Sequence, residues 1–232
     1  KIMKNMAVNG KISRFGKILA KFFYGKNIYY VNKNELDILN EDSINKYIKK
    51  KNIKILIHLA GLSRPMKIHE KNIAKSINLN IIGTSNVVKA CQKNKVKLIY
   101  FSTNYVYPCK RGPYSENSSL NPINNYGWSK LGGESAVKMY KNSLILRLCM
   151  TEKPFIHKKA FSNVISSFIY HEDFAKNFKK IINQKGVINV GGKRQSVFSF
   201  VSKNNKNIKP ILSKDKFLDN SINIKKYRKL VK

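Results

Sequence analysis

Carboxylates are what this 232-residue sequence lacks: 12 acidic side chains stand against 46 basic ones, a formal net charge of +34. A strongly basic surface attracts polyanions, because lysine and arginine neutralise phosphates and release their counterions. Here the excess is almost all lysine, scattered with asparagine and isoleucine through every segment, and runs such as Lys49-Lys50-Lys51 are isolated. No arginine-rich stripe interleaved with aromatics is present, so nucleic acid is not expected as a partner despite the charge. Cysteine is also scarce. Cys91, Cys109 and Cys149 are odd in number and far apart, which argues against a disulfide framework and for a reducing, cytoplasmic setting. His58, His69, His157 and His171 show no metal-ligand spacing, so no metal is expected, and His58 reads as a core residue. No apolar run is long enough to span a membrane, and none forms the core of a secretory signal. Internal repeats are absent as well.

What is present is an alternation of apolar runs and helical patterns. Lys54 to Gly61 is a short apolar run ending in small residues, as a buried parallel strand entering a ligand-facing loop would be. Val96 to Ser102 and Ser143 to Arg147 are further runs of the same kind, and Asn80 to Cys91 has the period of a helix. Asn27 to Val31 reads as the second strand, and Ile2 to Val8 as a poor first one, interrupted by Lys4 and Asn5. Strand–helix alternation predicts an α/β fold with a doubly wound parallel sheet. Ligands bind such sheets at the carboxyl ends of the strands, where Ala60, Gly61, Ser102 and Thr103 fall.

The chemistry-bearing motif is Tyr126-Gly-Trp-Ser-Lys130. In a helix over 125–140, Tyr126 and Lys130 lie four apart and share a face. A free phenol, with a pKa of about 10, exchanges protons poorly near neutrality, and a neighbouring cation brings that value down. Lys130 is placed to be that cation, while the hydroxyl of Ser102 or Thr103 polarises the same substrate oxygen from the strand. Trp128, inside the pentad, reads as helix packing or as a lid.

These segments, with Ser102-Thr103-Asn104-Tyr105-Val106-Tyr107, Pro113-Tyr-Ser-Glu116 and Asn121 to Glu134, resemble the extended short-chain dehydrogenase/reductases that act on nucleotide sugars. The dTDP-4-dehydrorhamnose reductase branch is the nearest in pattern. The similarity runs from about Gly10 to Gly192; its middle block is specific and its ends are not. It implies a Rossmann-type sheet with a small C-terminal substrate-binding lobe, catalytic roles for Thr103, Tyr126 and Lys130, and a second role for Lys130 on the nicotinamide ribose. Arg147 falls where the family has an arginine.

Three departures from the family pattern stand out. The phosphate loop, Gly-x-x-Gly-x-x-Gly in the family, reads Gly10-Lys-Ile-Ser13-Arg14-Phe15-Gly16, so serine replaces the middle glycine. Serine still has an N–H to present, but its Cβ crowds the closest approach of a pyrophosphate to the helix N-terminus. The first strand is weak, and Asn104 stands where related enzymes have an acid, which counts against a dehydratase. The resemblance makes Gly10, Ser13, Arg14, Phe15, Gly16, Asp37, Ala60, Gly61 and Ser102 cofactor-binding, with Asp37 near the adenine. NAD is often marked by a carboxylate at the end of the second strand. Asn32 and Lys33 follow that strand, with Arg14 in the loop, so NADP is favoured over NAD.

The expected division is a nucleotide-binding domain over residues 1–150 and a shortened lobe with a basic tail over 151–232. In the second part, Ile165 to Tyr170 and Gly186 to Val190 read as strands, His171 opens a helix, Ser196 to Ser202 is a docking helix, and the chain after Pro210 frays. So short a lobe leaves the sugar pocket open or completed by a partner, and a homodimer is allowed. The expected function is NAD(P)H-dependent reduction of a nucleotide-linked 4-keto-6-deoxysugar. The alternatives are a nucleotide-sugar epimerase with the same triad, or a weakly catalytic NADP-binding subunit of another enzyme.

Overall fold

A computed structural model describes residues 4–214 and 218–232. Its centre is a parallel sheet of six strands: β1 (Met6–Asn9), β2 (Ile28–Val31), β3 (Ile55–His58), β4 (Lys97–Thr103), β5 (Ser143–Leu148) and a late strand, Gly186–Val190, in the order late–β5–β4–β3–β1–β2. The order reverses at β1 and β3, which is the signature of a doubly wound sheet. The first strand thus begins at Met6, later than expected from the sequence. Lys4 and Asn5 lie outside it, and residues 1–3 lie outside the described part.

Helices cover both faces. On one side α1 (Arg14–Phe22) packs with a later helix, His171–Ile181, over Val8, Ile57, Ile99 and Leu146. On the other lie α2 (Glu41–Lys50), α3 (Ile68–Lys71), α4 (Ile73–Ile77), a π-helical turn (Asn78–Ile82), α5 (Gly83–Lys93) and α6 (Asn125–Lys138). Ala7, Leu56, Leu98, Tyr100 and Ile145 fill that layer. The alternation of β4 decides the split: Ile99 and Phe101 face one layer, Leu98 and Tyr100 the other. Short polar side chains start the helices. Ser13, Asn40 and Asn124 are N-caps, accepting from the amides of Gly16, Ser43 and Gly127.

Beyond Met150 the chain is shared between the lobe and the sheet, so residue 150 is not a boundary in the central sheet. β6 (Met150–Thr151), β7 (Lys159–Phe161), β8 (Val164–Ser166) and β9 (Ile169–Tyr170) precede α7 (His171–Ile181), and β10 (Gly186–Val190) returns to pair with β5. The single strand expected over 165–170 is therefore two, separated at Ser167-Phe168. β11 (Gln195–Ser196) and α8 (Val197–Val201) close a small core of Ala160, Val164, Val197, Val201 and Ile208. Among the described residues the tail is ordered where fraying is expected; residues 215–217 lie outside them. β12 (Lys209–Ile211) pairs with β7, β13 (Leu218–Asp219) pairs with β8, and α9 (Lys225–Val231) buries Tyr227 against Phe174 of α7. Tyr227 and Ile222 are the apolar anchors that overcome the tail's lysine-rich composition. No helix among the described residues is long and apolar enough to cross a membrane.

Candidate active site

β4 ends in Ser102-Thr103, and the alternation of a strand sends these two hydroxyls in different directions. Ser102 Oγ donates to Glu134 Oε2 at 2.7 Å, inside the protein. Thr103 is the last residue of β4; its oxygen accepts from the Tyr105 amide at 3.3 Å, and it is one of the groups that lower the Tyr126 pKa. Of the two hydroxyls offered by the sequence, Ser102 is therefore withdrawn into a structural network, which leaves Thr103.

Tyr126 opens α6, whose start is held from outside the helix. Asn124 Oδ1 accepts from the Gly127 amide at 2.8 Å, and Glu70 Oε1 accepts from the Asn125 amide at 3.1 Å. The Tyr126 ring packs against His69 and Tyr105, with centroids 5.1 and 6.0 Å away. His69 is fully buried, with Nδ1 2.7 Å from Ser76 Oγ. Burial raises the Tyr126 pKa above its ordinary value, opposed by the Thr103 side chain and the charge of Arg64. Arg64, in the segment after β3, thus contributes a charge at the phenol that the sequence alone does not assign.

Lys130 is placed one turn further on, with Nζ 4.3 Å from the centroid of the Tyr100 ring. The Lys130 carbonyl accepts from the Tyr100 hydroxyl at 3.0 Å. Burial pushes the Lys130 ammonium down to about 7, against the opposing pull of Glu134. That site is also why His58 stays neutral: burial, with Lys130 nearby, pushes its imidazole down to about 3. His58 is the core residue expected, bonded through Nδ1 to Asn9 and through Nε2 to Thr84 Oγ1 at 3.0 Å.

The glycine loop turns as its residues dictate. Gly10 has a positive φ of 83°, and a Cβ there would lie 2.8 Å from the Ala60 amide nitrogen. At Gly16 a Cβ would lie 2.4 Å from the Gly10 carbonyl oxygen, which bars any larger residue. Ser13 does not present its N–H: that group donates to the Gly10 carbonyl at 2.9 Å. Its Oγ instead accepts from the Gly16 amide at 3.0 Å and caps α1. Phe15 turns its ring into the core, between Phe101, His171 and Phe174, and has only its backbone to offer a ligand.

Arg14, 55% exposed at the start of α1, is ion-paired. Its Nη1 is 2.6 Å from Glu152 Oε1, and Arg64 Nη1 is 3.1 Å from the same oxygen. One carboxylate thus ties the glycine loop to the segment after β3. An acid does stand at the end of β2 as well: Glu35 Oε2 accepts from the Asn32 amide at 3.0 Å. Asp37 is engaged in its own turn, accepting from the Leu39 amide at 3.0 Å, with Lys33 Nζ 3.9 Å away.

Other residues that shape the site are silent in the sequence. Asn9 Oδ1 accepts from the amides of Leu59 and Ala60 at 2.8 and 2.9 Å, fixing the loop after β3 to the end of β1. Asn80, buried in the π-helical turn, grips Leu62 through its backbone N–H and carbonyl and donates to Ser129 Oγ at 2.8 Å. A π-turn inside a helix often marks a functional site. Glu134 and Arg147 form a buried ion pair at 2.5 Å, and Arg147 also donates to the Tyr107 hydroxyl at 2.8 Å. Asn104 is not in the site; its side-chain amide donates to the Asn220 carbonyl at 3.0 Å. Cys109 is buried, its Sγ donates to the Tyr107 carbonyl at 3.3 Å, and burial pushes its thiol up to about 12. Trp128, on α6, is 51% exposed. Among the described residues no His, Cys, Asp or Glu cluster could hold a metal.

Fold and site together define a doubly wound α/β protein with a hydroxyl–phenol–amine set at the carboxyl edge of its sheet. Residues 3–173 match the RmlD substrate binding domain, and the chain belongs to that family. It is 34% identical over 101 residues to methionine adenosyltransferase 2 subunit beta of Danio rerio, covering 44% of this chain and 30% of that protein. It is 27% identical over 138 residues to dTDP-4-dehydrorhamnose reductase of Mycolicibacterium smegmatis, covering 58% and 41%. The alignments thus span under half the length of either relative. Among solved structures, dTDP-4-dehydrorhamnose reductase of Bacillus anthracis in complex with NADP superposes with a TM-score of 0.86 at 24% identity, covering 98% of this chain and 92% of that one. That likeness establishes the fold.

Proposed function

We propose that the protein is an NAD(P)H-dependent reductase of a nucleotide-linked 4-keto-6-deoxysugar. The observation that carries this reading is the placement of Tyr126 and Lys130 one turn apart on α6, which packs on β4, the strand that ends in Thr103. Relatives bearing reductase names in this branch agree with it.

The residues fit a dinucleotide with one donor lost. The first-turn amides of Arg14 and Phe15 have no partner four residues back in α1, so they are free to meet a diphosphate beside Gly10 and Gly61, while Ser13 keeps the Gly16 amide for itself. The nicotinamide, when bound, supplies the hydride. The chain's own part is the proton. Burial holds the Tyr126 phenol in its protonated form at neutral pH, which is the form a proton donor to the carbonyl oxygen needs. Thr103 orients that oxygen from the strand end. Lys130, in its ammonium form, favours release of the phenol proton through its charge and takes the ribose hydroxyls. The preference for NADP over NAD rests on Lys33 and on the neighbour's ligand, since Arg14 is engaged by Glu152.

Tyr126→Phe tests the assignment. Turnover of the 4-keto sugar nucleotide should vanish while circular dichroism and Tm stay unchanged; undiminished turnover refutes the reading. Arrival of purified protein with a full complement of nicotinamide would favour the epimerase alternative.

A second reading has an observation of its own: the likeness to methionine adenosyltransferase 2 subunit beta favours a nucleotide-binding subunit of another enzyme. NADPH titration separates the two readings, because a Kd far above cellular cofactor levels fits only the subunit.

A further inference from the structure

The amino edge of the central sheet, opposite the candidate active site, carries a cavity of about 680 Å³ whose charged lining residues are all lysine: Lys4, Lys54, Lys95, Lys97 and Lys185. Its origin lies in strand register. In sheet order, β1, β3, β4, β5 and β10 are entered by Lys4-Asn5, Lys54, Lys97, Asn142 and Lys185. The Lys97 amide donates to the Lys54 carbonyl at 3.0 Å, and the Lys54 amide to the Asn5 carbonyl at 2.8 Å, so these entries stand level. Neighbouring strands lie about 4.8 Å apart, and the row spans roughly 19 Å.

Helix ends do not account for this row. Lys49 and Lys50 in α2, Lys93 in α5, and Lys179 and Lys180 in α7 already occupy the last turns, where cations offset the carbonyl dipoles. The row consists of strand entries, plus Lys95 in a left-handed turn with φ 55°. Among the described residues no carboxylate lines the cavity, and none of these lysines takes part in an ion pair. Lys97 is half-buried and donates to the Gln184 carbonyl at 2.7 Å. Burial, with Lys185 and Lys4 close by, pushes its ammonium down to about 8. Like charges held together with no carboxylate among them favour an anion of several charges.

We infer that this cavity binds a small oligophosphate, such as the triphosphate of a nucleotide, through the strand-entry lysines acting as point charges. Its volume suits a small molecule. No aromatic side chain lines it, so there is no platform for stacked bases, and the phosphates are the recognised part.

Calorimetry with inorganic tripolyphosphate on the full chain tests this, comparing Lys54→Met/Lys97→Met with Lys158→Met/Lys159→Met, which removes equal charge elsewhere. The first pair should weaken binding about tenfold or more, the loss expected when two charge-assisted contacts go, and the second less than about twofold. Lys185→Met, at an exposed position, repeats the test should the first pair fold poorly. Binding should take up protons and weaken as pH rises through about 8, because the ligand prefers Lys97 charged, facing Lys4, Lys54, Lys95 and Lys185. Equal weakening by both pairs, absence of saturable binding, or a short DNA duplex bound more tightly and insensitive to the first pair would each overturn the inference.

Discussion

Replacing Glu134 by leucine isolates the energetics that hold the Tyr126 helix on β4. Glu134 and Arg147 are each 2% exposed and 2.5 Å apart, and Ser102 donates to the same carboxylate. Removing one member of a buried pair strands the other charge and costs about 3–5 kcal/mol. For a chain of this size each kcal/mol lowers Tm by roughly 2–4 °C, so Glu134→Leu should fall by roughly 6–20 °C. Replacing both by apolar residues removes the stranded charge. In Glu134→Leu/Arg147→Met the Tyr107 hydroxyl keeps its bond to Asn189 Oδ1 at 2.9 Å, and the main orphans are the Ser102 hydroxyl and the Glu116 carbonyl. The double variant should therefore lose only about 1–3 kcal/mol, less than either single change. Urea unfolding followed by circular dichroism gives all four corners of the cycle. A Glu134→Leu loss below about 1 kcal/mol, or a double variant as weak as the sum of the singles, would refute the reasoning.

Three further outcomes are expected. Ser13→Gly should tighten NADPH binding, since it frees the Gly16 amide and removes the crowding Cβ, at a stability cost of only a few tenths of a kcal/mol; fluorescence titration checks it, and unchanged or weaker binding goes against it. Arg14→Ala should weaken NADPH and NADH alike, because Arg14 is tied to Glu152; a loss confined to NADPH would restore Arg14 to the 2′-phosphate. The kcat/KM of the reduction should fall as pH rises through about 7, since Lys130 is charged below that value and neutral above it, and only the charged form assists Tyr126; a flat profile from about pH 6 to 9 contradicts this.

The sheet was legible because buried parallel strands are apolar on both faces, and Lys97–Thr103 and Ser143–Leu148 fall within a residue of the runs that announce them. Met6–Asn9 was not, because two polar residues precede a strand of only four. The order of the tail's described part escapes the sequence for a related reason: it depends on Tyr227 and Ile222 reaching partners far back in the chain, which local composition does not register. Within the site, spacing located Thr103, Tyr126 and Lys130 on adjoining elements. It could not show which hydroxyl of Ser102-Thr103 is withdrawn into the protein, since that depends on strand phase. Nor could it pair Arg14 with Glu152, 138 residues apart.

That pairing changes how the glycine loop bears on the proton relay. Read as a sequence, the two are separate: Ser13 weakens one, and Thr103, Tyr126 and Lys130 complete the other. In the structure Glu152 holds Arg14 at the start of α1 and Arg64 in the segment after β3 through a single oxygen. Two cations share one carboxylate, and a diphosphate bound at the start of α1 would compete with Glu152 for both. The glycine loop and the segment after β3 are therefore joined through Glu152, a residue that neither the glycine spacing nor the Tyr–Lys spacing singles out.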